Sequence, residues 1–154
     1  MDKMLIFDMD GTLANFYGVE GWLQDLENSN PRPYIEAEPM YDMVKMAEIL
    51  NALKVLGYTI IVTTWLAKNS SKEYKKEVRQ AKRDWLNRHN FPYDELHMVQ
   101  YGTTKADCTR HKQGYQILFD DNAKIRAGWH LGTTIDANND IMPILELLKW
   151  VSDR

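Results

Sequence analysis

The stretch Asp8-Met9-Asp10-Gly11-Thr12 constrains this chain more than any other. It closes the apolar run Met4-Leu5-Ile6-Phe7, whose β-branched and aromatic residues predict a short buried strand. Gly11 then interrupts the run, where the chain must turn sharply or let a ligand approach the backbone closely. Two carboxylates two positions apart at the exit of a buried strand repel each other unless a cation or a shared proton relieves them. A hard divalent cation such as Mg2+ takes oxygen ligands and keeps positions open for water and phosphate. A turn rich in Asp and Gly would also account for these residues alone, so the rest of the chain has to decide.

With 154 residues the chain suffices for one domain with a real core and is short for two. Hydrophobic residues make up 44% and charged residues 27%, the balance of a globular chain rather than a disordered one. A net charge of -3 exerts no general pull toward nucleic acid or an anionic membrane. The apolar runs are strand-sized, too short to span a membrane, and no signal peptide is expected ahead of Met4. The single cysteine, Cys108, has no partner for a disulfide and no neighbours suited to zinc, which fits a cytoplasmic protein. His89, His97, His111 and His130 are scattered without metal-binding spacing.

Residues 14–39 read as an insertion after the first strand, a small cap over the carboxylates. Trp22, Leu23 and Leu26 fall at helical spacing, and Pro31, Pro33 and Pro39 mark the remainder as loop. Its aromatics Phe16, Tyr17, Trp22 and Tyr34 suit a lid or pocket wall. Pro39 suits the first position of a helix carrying Met43, Met46, Ala47, Leu50 and Leu53, which Gly57 ends. Tyr58 to Val62 predicts a second strand running into Thr63-Thr64-Trp65. A long helix over 70–89 places Tyr74, Val78, Ala81 and Trp85 on one face, and Lys72, Lys75, Lys76, Arg79, Lys82 and Arg83 on a solvated one. Strands are expected at Leu96 to Val99, Tyr115 to Phe119 and near Thr133 to Ile135. A polar loop carrying Lys105 joins the first two of these, a short helix through Ile125 joins the last two, and a closing helix from Ile141 to Val151 carries Ile144, Leu147, Leu148 and Val151 inward. Strands alternating with helices predict an α/β fold with a central parallel sheet covered on both faces.

The polar residues then fall in a pattern. The first strand ends in Asp8-x-Asp10, the second in Thr63-Thr64 and the fourth in Asp120-Asp121. Ligands of an open parallel sheet bind beyond the carboxyl ends of its strands, so these groups converge on one crevice. Separate turns would have to produce that coincidence three times over.

Together, Asp8-Met9-Asp10-Gly11-Thr12, a strand-terminal Thr63, a separate Lys105 and Asp120-Asp121 resemble the four motifs of the haloacid dehalogenase-like (HAD) superfamily. The resemblance covers residues 1–13 and 40–150 and implies a Rossmann-like three-layer sandwich. The longer string Asp-Met-Asp-Gly-Thr-Leu-Ala-Asn-Phe, ending at Phe16 and followed by the insertion, is similar to the 5'(3')-deoxyribonucleotidases and their bacterial and phage relatives.

The resemblance implies a division of labour. Asp8 would be the nucleophile, forming an aspartyl-phosphate. Asp10 would protonate the leaving oxygen and later take a proton from water. Mg2+ would be held by the Asp8 side chain, the Asp10 backbone carbonyl and Asp120, with Asp121 as partner or alternative. Thr63 would donate to a phosphate oxygen, with Thr64 as a substitute, and Lys105 would neutralise another and steady Asp8, with Lys112 and Lys124 as substitutes. Trp65 and Phe16 would line the pocket, with Gly11 close to the substrate. The expected activity is a Mg2+-dependent phosphomonoesterase, a 5'-nucleotidase on small (deoxy)nucleoside monophosphates. The alternatives are another small phosphate ester, the terminal phosphate of a polynucleotide engaged by the basic helix face, and a non-catalytic receiver-like domain. In a receiver, though, the Asp pair would come early in the chain instead of late. The small cap leaves room for a second copy to complete the pocket.

Overall fold

The apolar run Met4-Leu5-Ile6-Phe7 decides the layers: all four residues are buried, so both faces of their strand must be covered. The computed structural model describes residues 2–154. Strands β1 (Lys3–Phe7), β2 (Tyr58–Trp65), β3 (Glu95–Val99), β4 (Tyr115–Asp120) and β5 (Gly132–Asp136) form one parallel sheet in the order β3-β2-β1-β4-β5. Phe7 is in register with Val62 on one side and Phe119 on the other; β4 continues one residue further, to Asp120, and β2 three further, to Trp65. Leu5, Phe7, Ile60, Val62, Ile117 and Phe119 point into one core, and Met4, Ile6, Ile61 and Leu118 into another. Phe7 stacks on Phe119 at 4.7 Å and meets Phe91 edge-on at 5.5 Å. Each such aromatic pair contributes about 1 kcal/mol beyond simple burial.

The connections are helices α1 (Trp22–Glu27), α2 (Arg32–Glu36), α3 (Met43–Val55), α4 (Lys72–Arg88), α5 (Ala123–Ala127) and α6 (Met142–Ser152). α3, α6 and the end of α4 cover the first face, while α5, a 3-10 turn over Lys105–Cys108 and Trp129 cover the second. Among the described residues no helix is long and apolar enough to cross a membrane.

Three local expectations need correcting. Pro39 does not start α3. It bridges Ala14 in an antiparallel pair, and Asp42 caps the helix by accepting from the Val44 and Lys45 amides at 3.0 and 3.1 Å. The segment marked by prolines is not all loop, because Pro31 precedes α2 and Pro33 sits in its first turn, where a missing amide costs nothing. In α6, Leu145 is the fully buried residue, whereas Leu147 and Val151 are exposed.

The insertion leaves the sheet at Ala14 and returns beside it at Pro39. The Asn15 amide donates to the Glu38 carbonyl at 2.8 Å, and the Met40 amide to Leu13 at 2.9 Å. Phe16, Tyr34 and Trp22 cluster within the insertion and rest on Tyr74, Val78 and Ala81 of α4. The same helix donates from Trp85 Nε1 to the Ala37 carbonyl (2.7 Å) and from Arg88 to Ile35 (2.9 Å).

Candidate active site

Asp8 follows β1, and the alternation of the strand turns it to the same side as Ile6, away from Phe7. Asp120, the last residue of β4, lies one strand over. Lys105 joins them: its Nζ donates to Asp8 Oδ1 at 2.7 Å and to Asp120 Oδ2 at 2.9 Å. An ammonium has three protons, so two hydrogen bonds leave one for a further acceptor. Burial alone would lower the pKa of Lys105, but the Asp8 and Asp120 carboxylates outweigh it and hold the ammonium above the usual lysine range.

Gly11 takes a left-handed turn (φ 83°), and a Cβ there would stand 2.5 Å from Asp121 Oδ2. Only glycine lets the loop after β1 and the Asp121 carboxylate approach so closely. Thr12 Oγ1 lies 3.3 Å from both Asp8 Oδ2 and Asp121 Oδ1, tying the two loops together. One carboxylate oxygen from each of Asp8, Asp120 and Asp121 falls within 4.8 Å of the others. Burial, a hydrogen bond with Asp8 and repulsion from Asp8 and Asp120 push Asp121 up to about 7, and burial with Asp8 also raises Asp120. Three carboxylates against one ammonium leave an excess of negative charge on hard oxygen donors, a set that fits a divalent cation.

Asp10 is not one of the three. Its carboxylate turns instead to Lys82, whose Nζ donates to Asp10 Oδ2 (3.0 Å), Thr64 Oγ1 (2.6 Å) and the Trp65 carbonyl (2.8 Å). Lys82, expected on the solvated face of α4, is 0% exposed. Its position was legible: 82 lies four after Val78 and three before Trp85, on the apolar stripe of the helix. Burial pushes the Asp10 carboxyl above its ordinary range, Lys82 pulls it down, and Asp8 adds repulsion that raises it.

Asp8, Asp10, Phe16, Thr64, Trp65, Lys105, Asp120 and Asp121 line one cavity of about 380 Å3 between sheet and insertion. Tyr17, Trp22, Tyr34 and Tyr101 are also on its walls, and of these Tyr101 carried no signal in the sequence beyond its loop position. Trp65 donates from Nε1 to the Thr103 carbonyl at 2.8 Å and packs on Tyr101 at 4.9 Å. Behind that pair opens a second cavity of about 590 Å3, sharing Trp65, Tyr101, Lys105, Asn122 and Ile125 with the first. Thr63 is not on the first cavity's wall. It is 1% exposed, one residue beyond the Val62–Phe7 pair, and its hydroxyl has no hydrogen-bond partner among the described residues. Lys112 and Lys124 lie apart from the carboxylates, Lys112 paired with Glu95 at 2.7 Å.

This geometry agrees with comparison to known proteins. Residues 2–145 match the family model described as the polynucleotide kinase PNKP phosphatase domain, of HAD type. The chain belongs to that family. It is therefore a HAD phosphatase domain, and its α/β sheet is the HAD Rossmann-like sheet. Among solved structures it resembles the crystal structure of D,D-heptose 1,7-bisphosphate phosphatase from Burkholderia thailandensis. The TM-score is 0.51 at 16% identity, covering 86% of this chain and 75% of the other. That likeness speaks for the fold alone. No curated protein matches the chain. The expected likeness to the 5'(3')-deoxyribonucleotidases is not supported by these matches.

Proposed function

We propose that this chain is a Mg2+-dependent phosphomonoesterase that acts through an aspartyl-phosphate on Asp8 and takes a nucleotide as its substrate. The observation that carries the chemistry is the Lys105 bridge between Asp8 and Asp120 beside Asp121. In this reading an Asp8 oxygen attacks phosphorus, the ester P–O bond breaks, and Asp10 gives its proton to the departing oxygen. Water then attacks phosphorus, Asp10 takes the proton back, and the P–O bond to Asp8 breaks to release phosphate. Lys105 offers its third N–H to a phosphate oxygen, and the Thr63 hydroxyl, unpartnered but buried off the cavity wall, would have to turn toward the phosphate to add another donor. Asp8, Asp120, Asp121 and the Asp10 backbone carbonyl would hold the cation, which offsets repulsion between an anionic nucleophile and an anionic phosphate.

The nucleotide part rests on the cavity walls. Phe16, Tyr17, Trp22, Tyr34, Trp65 and Tyr101 present aromatic surface within the same cavity as the carboxylates, and bases stack on such surfaces with little regard to sequence. Residues 14–39 act as a small cap in this reading. A second reading, the terminal phosphate of a polynucleotide, is favoured by the family match and by the second cavity adjoining the first across Trp65 and Tyr101. A cytoplasmic setting is consistent with the one free cysteine.

Phosphate release with Mg2+ separates the readings. The panel is nucleoside monophosphates, sugar phosphates, and oligonucleotides phosphorylated at the 3' or 5' end. Release from mononucleotides in preference to the rest supports the first reading, and preference for oligonucleotide ends supports the second. Release from sugar phosphates alone contradicts both.

A further inference from the structure

Lys82 and Lys105 are both buried lysines at the same crevice, yet they are bonded differently. Lys105 spends two donors on carboxylates and keeps one. Lys82 spends all three, on Asp10 Oδ2, Thr64 Oγ1 and the Trp65 carbonyl. An ammonium so saturated has no proton left for a phosphate oxygen, and at 0% exposure it has no route to a solvent partner either. Its cost of burial is met by those three acceptors and by the Tyr34 ring, 5.2 Å from Nζ.

The consequence falls on Asp10. Thr64 and Trp65 belong to β2, in the middle of the sheet, so the ammonium is anchored to a rigid element. From there it engages only one of the two Asp10 carboxyl oxygens, Oδ2. Oδ1 has no hydrogen-bond donor among the described residues and lies on the carboxyl that lines the cavity. Resting on the phosphatase reading above, we propose that Lys82 is a positioning residue that pins Asp10 Oδ2 and so dedicates Oδ1 to proton transfer with the leaving group. A hydrogen bond to Oδ2 can be kept whether Oδ1 carries the proton or not, so the same contact serves both halves of the reaction. In the first half the proton on Oδ1 passes to the ester oxygen as the P–O bond breaks, and in the second a water proton returns to Oδ1.

Leaving groups of different basicity test this. Departure of 4-nitrophenolate needs no proton, whereas an alkoxide such as a nucleoside oxygen needs one in the transition state. The value of kcat/KM reports steps up to transfer of the phosphoryl group, before the hydrolysis common to all esters. Lys82→Met keeps the volume and removes the donor. The expected result is a loss of kcat/KM on alkyl esters at least about tenfold larger than on 4-nitrophenyl phosphate. The ratio is internal to each preparation, so partial unfolding cancels from it. Equal losses on both esters, or a smaller loss on the alkyl ester, would overturn the role of Lys82 and reduce it to a structural contact. Should Lys82→Met fail to fold, Thr64→Val removes one anchor of the ammonium, and the same bias supports the role while its absence overturns it. Absence of Mg2+-dependent turnover of either ester by the wild-type protein would instead overturn the phosphatase reading itself, and Lys82's role with it.

Discussion

The Lys105 ammonium lies 2.7 Å from an Asp8 carboxylate oxygen across 97 residues of sequence. The contact exists because β1 and β4 are neighbours in register at Phe7 and Phe119, and the 3-10 turn before β4 carries Lys105 back over them. The same Nζ reaches Asp120, so one positive charge separates two carboxylates that would otherwise repel.

Lys105→Ala removes that charge from a buried site and leaves Asp8 and Asp120 facing each other. The expected loss of kcat/KM is about a hundredfold to a thousandfold, the usual effect of deleting one charge-stabilising donor. Breaking such a buried pair also destabilises the fold by on the order of 3 kcal/mol. Steady-state kinetics and thermal melting check the two parts, and wild-type kinetics would point to another cation.

How much of this was visible beforehand differs by element. Apolar runs closed by Asp8, Thr63-Thr64 and Asp120 located the strand ends because period and polarity agree there, although β2 itself runs on through both threonines to Trp65. The crevice followed from parallel topology alone. Lys82 escaped because α4 is crowded with basic residues. Charge was read ahead of position, although its place on the apolar stripe marked it. α2 escaped because proline normally reads as a loop signal, and its tolerance in the first turn depends on where the helix begins. The exposure of Leu147 and Val151 follows from how α6 docks on α3, a tertiary choice that local period does not encode.

Stripping divalent cations should reverse the usual acid sensitivity of the carboxylate cluster. The carboxyls of Asp10, Asp120 and Asp121 are raised, Asp121 to about 7, so the folded chain binds their protons more tightly than the unfolded one. Stability from this source is full below the ordinary carboxyl range near ~4 and is lost as pH rises through about 7. In EDTA, Asp121→Asn is expected to stabilise the protein relative to wild type more at pH 8 than at pH 5. Mg2+ should narrow that difference by stabilising the wild type more than the variant, which has lost one charged ligand. Parallel melting profiles for the two proteins in EDTA would contradict the cluster's electrostatics.

Tyr17, in the segment between β1 and α3, is 54% exposed, lines the cavity and packs edge-on against Phe16 and Trp22. If it supplies a stacking surface for a base, Tyr17→Ala forfeits about 1–3 kcal/mol per base. KM for a nucleotide should then rise about fivefold or more, with KM for an ester lacking an aromatic ring unchanged. Equal shifts for both substrates would remove Tyr17 from base recognition.

Trapping the phosphorylated enzyme tests the nucleophile directly. Protein mixed with Mg2+ and a phosphate-labelled substrate that it turns over, then quenched in acid within the first turnovers, is expected to carry hydroxylamine-sensitive label on the peptide containing Asp8. Asp8→Asn should carry none and release no phosphate while remaining folded. Turnover by Asp8→Asn, or label on a residue other than Asp8, would contradict the assignment of Asp8 as the group that receives the phosphoryl.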